Sequence, residues 1–400
     1  MIRILLLALS VVSLGSTAEV GIDELLWQPE LITKESILAN YDSYILNKPP
    51  LFPDIPQLVF ISDWSPRGCY FAQLNAKNID YVSFSWFTVV PKLNWYGEMI
   101  DVEILEVNID ENKCFEHNQR YIQRLRRINP DIKIVPRFEF TDFSPHAVKM
   151  FVRSELLVQR AALTITSFCH EHGFDGAVIK CLTPLSDGIF YEDLIAGNDF
   201  DVVDLYGDML ETLEQVGNVI RTNGLISIFT MESPITLHNM EQEKKFFVLP
   251  PDFSHKMIEA YDFVHVWYNE LELLNRQYIH DRLLEETMKF FNYSPKLLMG
   301  INFFGYEFPL DEYQKGGNGK KWTVVSYDRF LDVLKMDDAI FTFNEVNKEH
   351  ELSSKMSNAF IIFPSLTQLE YRLAHIKQNP GVGIGIWEYG QGLDYFINLM

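Results

Sequence analysis

Eight short apolar runs recur along this chain, with longer stretches of helical spacing between them. They fall at 58–61, 81–84, 132–138, 176–181, 225–229, 263–268, 297–304 and 382–387. Runs this short and this continuously apolar suit strands covered on both faces, as in a parallel sheet flanked by helices. Between them, residues 115–128 put Ile122, Leu125 and Ile128 on one face and must stop before Pro130. Residues 203–222 carry Leu205, Met209, Leu213, Val216 and Ile220 at helical spacing and end at Asn223-Gly224, a common helix stop. Strand and helix in alternation, eight times, predict an α/β fold, a (β/α)8 TIM barrel. A doubly wound open sheet is the runner-up. It would usually carry a glycine-rich phosphate turn after the first strand, and Ile61-Ser62-Asp63-Trp64-Ser65-Pro66 is not one.

The interval between the seventh and eighth runs is too long for a single helix. Residues 306–360 hold the hairpin-turn signal Gly316-Gly317-Asn318-Gly319 and strand-like stretches at 322–325 and 339–343, which predicts a small α+β insertion there. Its glycines are not a phosphate loop, since no Gly-Lys-Ser/Thr precedes a helix. At the other end, residues 1–18 read as a signal peptide: Arg3, an apolar run over 4–12, and the small residues Ser16-Thr17-Ala18. That run is too short to span a bilayer. Residues 19–50 form an N-terminal extension with room for one helix, closed by the linker Leu46-Asn47-Lys48-Pro49-Pro50. The barrel then occupies 51–400.

Composition narrows the partners. With 47% hydrophobic and 22% charged residues, the chain can bury a barrel-sized core and is not globally disordered. Its formal charge of −21 repels phosphate backbones and anionic lipid, so neither nucleic acid nor membrane insertion is expected. The leader places the protein in an oxidising lumen, secreted or lysosomal. There the cysteines Cys69, Cys114, Cys169 and Cys181 can pair in three ways. Cys69 and Cys114 both follow strands and could meet, while Cys169 and Cys181 read as buried thiols. No cofactor motif stands out. His170-Glu171-His172 falls at a helix end on the far face of the barrel, where a surface role outweighs a metal site.

Three stretches carry a specific likeness: KLLMGINFFGY at 296–306, FPSLTQLEYRL at 363–373 and GVGIGIWEYGQGLDYF at 381–396. With Phe174-Asp175-Gly176, they resemble glycoside hydrolase family 18. More narrowly, they resemble its divergent branch of stabilin-interacting, chitinase-domain-containing proteins, from about residue 51 to the C-terminus. The resemblance implies a barrel with an insertion between strands 7 and 8, a sugar groove at the C-terminal strand ends, and a scavenger-type receptor as a partner. Active members carry D-G-x-D-x-D-x-E on strand 4. Laid on this chain, those acids fall on Asp175, Val178, Lys180 and Leu182. Alternate residues of a strand face the same way, so 178, 180 and 182 are expected in the barrel mouth.

That substitution removes the chemistry. In the active members the last Glu protonates the leaving oxygen, and the preceding Asp assists attack by the substrate's acetamido group. Leucine has no proton to give, valine orients nothing, and an ammonium destabilises an oxocarbenium-like transition state. The family's M-x-Y-D on strand 6 becomes Val266-Trp267-Tyr268-Asn269, and the strand 3 pattern becomes Pro136-Arg137-Phe138-Glu139. No catalytic residue is therefore assigned, and the expectation is a pseudo-glycosidase that binds an oligosaccharide of the N-acetylglucosamine type. Its saccharide-binding candidates are Trp64, Trp86, Glu139, Tyr268, Asn269 and Trp387. Trp387 corresponds to the tryptophan that floors the family's sugar site. An ion pair between Lys180 and Glu139 is expected in the mouth, because an unpaired buried ammonium is costly. Two alternatives stand beside this reading. One is an active glycosidase with a relocated acid among Glu139, Asp142, Glu232, Glu270 and Glu388; the other is a protein-interaction scaffold.

Overall fold

The computed structural model describes residues 27–44, 50–62, 65, 67–107, 118–183, 185–186, 199–234, 249–250, 252–267, 280–314, 322–345 and 348–400. Its strands, in chain order, are β1 (Gln57–Ile61), β2 (Tyr81–Phe84), β3 (Phe87–Leu93), β4 (Met99–Glu106), β5 (Lys133–Ile134), β6 (Arg137–Phe140), β7 (Gly176–Lys180) and β8 (Ile226–Glu232). They continue as β9 (Phe263–Trp267), β10 (Leu297–Asn302), β11 (Gly305–Pro309), β12 (Thr323–Val325), β13 (Ile340–Asn344), β14 (Glu349–Ser354), β15 (Ala359–Ile362) and β16 (Gly383–Trp387). One sheet runs β4-β3-β6-β7-β8-β9-β10-β16-β1-β2-β5. Every pairing in it is parallel except β3 with β4.

The sheet closes into a barrel through its third barrel strand, which is broken in two. Pro136 has no N–H to give a ladder, and it separates β5 from β6. β5 pairs with β2, and β6 pairs with β7. The junction is bonded on both sides, Val135 N–H to the Val82 carbonyl and Val178 N–H to the Pro136 carbonyl, each at 2.9 Å. The ring therefore closes through the continuous chain 133–140.

Strand alternation sorts side chains into two cores. Leu58, Phe60, Val135, Val178, Ile228 and Leu298 cluster inside the barrel. Their neighbours Val59, Ile61, Ala177, Ile179 and Phe229 join the larger cluster against the surrounding helices. The helices start where the sequence provides caps. Ser144, Ser154 and Ser365 each accept a backbone N–H at the start of Pro145–Val152, Glu155–His172 and Leu366–Lys377. Glu155–His172 ends on Gly173 at φ 67°, a left-handed conformation that glycine adopts without a Cβ penalty. Asp199–Thr222 matches the helix read from the periodicity, and Lys34–Asn40 is a helix of the N-terminal extension. No described helix is long and apolar enough to cross a membrane.

Between β10 and β16 the chain builds a second, five-stranded sheet in the order β12-β11-β15-β14-β13, with antiparallel pairing throughout. The strands expected at 322–325 and 339–343 are β12 and β13. The glycine turn at 316–319, the signal segment 1–18, the linker at 46–49 and Cys114 lie outside the described residues. Cys69 is held in a disulfide, whereas Cys169 and Cys181 are buried free thiols. The antiparallel hairpin β3–β4 was not foreseen. Pro91 within β3 is tolerated because β6 pairs only with residues 87–89 of that strand.

Candidate functional site

A cavity of about 280 Å³ opens over the C-terminal ends of the barrel strands, lined by Phe60, Arg137, Lys180, Thr230, His265, Trp267, Phe304, Val324, Trp387 and Gln391. Strand parity explains most of this set. Phe60 follows Leu58, Lys180 follows Val178 and Thr230 follows Ile228, each two residues further along an inward-facing row. His265 and Trp267 are the inward pair of β9, and Trp387 ends the inward row of β16. The second sheet contributes Val324.

The floor is aromatic. The ring centroid of Phe60 lies 4.9 Å from that of His265 and 5.1 Å from that of Trp387. A hydrogen bond of 2.8 Å joins His265 Nδ1 to the Thr230 hydroxyl. Burial pushes the His265 pKa down to about 3, against the opposing effect of the Gly385 backbone. The imidazole is therefore neutral near pH 7 and adds no charge.

The charge comes from one wall. Lys180 Nζ donates to Glu139 Oε1 at 2.7 Å, and Arg137 Nη2 meets Glu139 Oε2 at 3.0 Å. The Lys180–Glu139 pair is the one expected from the sequence; β6 and β7 place 139 and 180 directly opposite each other. Burial would raise the Glu139 carboxyl, but Arg137 and Lys180 together outweigh it and hold the group below the usual carboxylate range. Burial lowers the Arg137 pKa, opposed by Glu139 and Glu388. Each cation also lies over a ring, the Arg137 guanidinium carbon 4.8 Å from the Trp387 centroid and Lys180 Nζ 5.8 Å from that of Trp267.

The four positions of the strand 4 motif do not converge on the cavity. Asp175 precedes β7 at its N-terminal end, where it binds Arg126 at 2.8 Å and accepts the Ile134 N–H at 2.8 Å. Val178 is fully buried in the barrel interior. Leu182 corrects the expectation of three mouth-facing positions. The strand stops at Lys180, so the alternation ends there, and Leu182 packs 1% exposed in the outer core. Lys180 alone of the four lines the cavity.

Trp86 is a second correction. It is fully buried and stacks on Phe84, with centroids 3.8 Å apart and planes 9° from parallel, so it presents no surface to a ligand. Its position just after β2 suggested a strand-end platform, but the apolar layer claims it instead. Trp64, Tyr268, Asn269 and Glu270 lie outside the described residues. Glu232 accepts a hydrogen bond from the Thr183 hydroxyl, and buried Glu388 accepts the Ser62 N–H at 3.1 Å. Asp142 is exposed at φ 59°, beyond the end of β6. The sequence reading missed Phe60, Arg137, Thr230, His265, Trp267, Phe304, Val324 and Gln391. The inward row of each strand, extended by one step, would have found Thr230, His265 and Trp267.

No family model matches the sequence. The fold is nevertheless shared with solved structures. A chitinase from Chromobacterium violaceum is 10% identical, with a TM-score of 0.62 over 86% of this chain and 97% of that one. A family 18 chitinase from Cycas revoluta, solved with (GlcNAc)4, is 13% identical with a TM-score of 0.61 over 86% and 97%. Human YKL-39, described as a pseudo-chitinase with retained chitooligosaccharide binding properties, is 13% identical with a TM-score of 0.61 over 86% and 98%. The architecture is thus the α/β barrel of the glycoside hydrolase family 18 structures.

Proposed function

We propose that this chain is a non-hydrolytic saccharide-binding member of glycoside hydrolase family 18, from its divergent chitinase-like branch. The observation that carries the reading is Lys180. At the end of β7, where the family's acids act, the cavity has an ammonium bonded to Glu139. A general acid working near neutrality needs a raised pKa, and the pKa of Glu139 is lowered by its two cations. Glu139 is therefore the wrong kind of group for a relocated acid. Binding chemistry remains: Trp267 and Trp387 offer aromatic surface, and Gln391 and Lys180 offer polar groups at the rim. The ligand class follows by analogy with YKL-39 and the Cycas revoluta chitinase. The disulfide at Cys69 and the leader-like residues 1–18 support a secretory or lysosomal location. A scavenger-type receptor partner rests on the branch resemblance alone.

The test is titration of purified protein with a tetramer of N-acetylglucosamine, read by intrinsic tryptophan fluorescence, beside release of a chromophore from a labelled chitooligosaccharide. We expect saturable binding that Trp387→Ala weakens at least about tenfold, a plausible loss for an aromatic anchor, and no release above a blank. Turnover well above contaminant level and abolished by Glu139→Gln would establish a glycosidase instead. Absence of binding to any glycan would leave the scaffold reading.

A further inference from the structure

A pocket for a neutral sugar needs hydroxyl and amide partners but no net cation. In this cavity the charged lining residues among the described positions are Arg137 and Lys180, both cationic. Their shared carboxylate, Glu139, is not among the lining groups, and Glu388, the other carboxylate acting on Arg137, is fully buried. Lys180 has three donors and a side chain 23% exposed, and Glu139 accepts one of those donors. Arg137 spends Nη2 on Glu139 and its side chain is only 11% exposed, so it adds positive potential beside the cavity while the accessible donors are those of Lys180. Two cations thus face the cavity while their carboxylates, Glu139 and Glu388, lie behind them, and Lys180 keeps donors that Glu139 does not take.

We propose that the cavity takes an acidic saccharide, whose anionic substituent meets Lys180 beside Arg137 while the sugar ring lies against Trp387. This deepens the saccharide-binding reading above and rests on it. A carboxylate or a sulfate supplies the acceptors that these donors lack, and a charge-assisted contact is stronger than one to a hydroxyl. The chain's net charge of −21 repels anions at long range, so any preference for acid has to arise from the local pair. At physiological salt the long-range part is screened beyond about 8 Å, and contact inside the cavity is not.

The experiment measures affinity at that salt by tryptophan fluorescence and calorimetry for three tetrasaccharides. One is a neutral N-acetylglucosamine tetramer, one alternates glucuronic acid with N-acetylglucosamine, and one is sulfated. At least one acidic ligand is expected to bind about tenfold more tightly than the neutral one, the gain of one charge-assisted contact. The arm that wins identifies carboxylate or sulfate. Lys180→Gln should bring the acidic affinity down to the neutral level, and Lys180→Arg should keep the preference. Melting temperatures of both variants establish that they fold. Equal affinity for acidic and neutral ligands would overturn the proposal and leave saccharide binding intact. A preference that survives Lys180→Gln would place the anion elsewhere and overturn it too. If none of the three binds, both readings fall together.

Discussion

Glu139 is the residue on which the wall of the cavity depends. It sits between Lys180 at 2.7 Å and Arg137 at 3.0 Å, on a side chain 23% exposed. Removing its charge leaves two cations facing each other without a common anion. Glu139→Gln should therefore destabilise the fold by about 1–3 kcal/mol, the range for stranding a partly buried charged partner. The loss should depend on pH with a definite sign. The folded pKa of Glu139 lies below its unfolded value, so its contribution is complete above the unfolded pKa and fades as pH falls through the folded one. Melting curves of wild type and Glu139→Gln should differ by a constant amount from pH 7 to about pH 5, begin to approach near the ordinary glutamate value at about pH 4, and close further as pH falls through the lowered folded pKa. A gap that widens in acid would contradict the assigned ion pair. At this scale the sequence was partly readable. Residues 139 and 180 lie on neighbouring inward rows, which parity alone can pair. Leu182 and Trp86 were misread because each lies beyond the end of its strand, where parity no longer applies.

Among the elements, β16 shows how small residues make room for the site. Gly385 lies opposite His265, and a Cβ there would come within 2.2 Å of His265 Cδ2 and 2.4 Å of Nε2. The imidazole cannot swing aside, because it is buried against Phe60 and bonded to Thr230. Gly385→Ala should cost about 1–3 kcal/mol of overpacking, measured by denaturant unfolding. Combined with His265→Ala, its added cost should fall well below that, since the obstructing ring is gone. Full additivity of the two changes would mean that the contact is not the cause. The eight barrel strands were legible because parallel strands buried on both faces leave unmixed apolar runs. The hairpin β3–β4 was not, since half of β4 is exposed and Pro91 interrupts the alternation of β3. The break in the third barrel strand was marked by Pro136, but the exchange of ladder partner across it was not, because an apolar run carries no record of which strand it pairs with.

At the scale of the whole molecule, Trp387 joins the barrel to the second sheet that is inserted between β10 and β16. It packs on the barrel-interior cluster with Phe60 and Leu298, and also on the cluster of Phe304, Tyr306, Phe308, Leu310, Phe360 and Ile362 that belongs largely to the second sheet. The Phe303 N–H bonds the Trp387 carbonyl at 2.8 Å, which continues the β10–β16 ladder of the barrel, so the link to the second sheet is made by the side chain. The sequence resemblance to glycoside hydrolase family 18 pointed to this tryptophan as a sugar platform. The second role could not be read from the sequence, because it depends on where a distant sheet settles. Truncation should therefore act on two observables at once. Trp387→Ala should lower global stability by about 2–4 kcal/mol, somewhat under the usual cost for a fully buried tryptophan because this one is partly exposed. It should also raise hydrogen exchange in β11, β12 and β15 more than in β8 and β9, since those strands lose a packing partner while the far side of the barrel keeps its own. Uniform acceleration across both sheets would mean that the tryptophan supports the barrel alone and that the second sheet is held by other contacts.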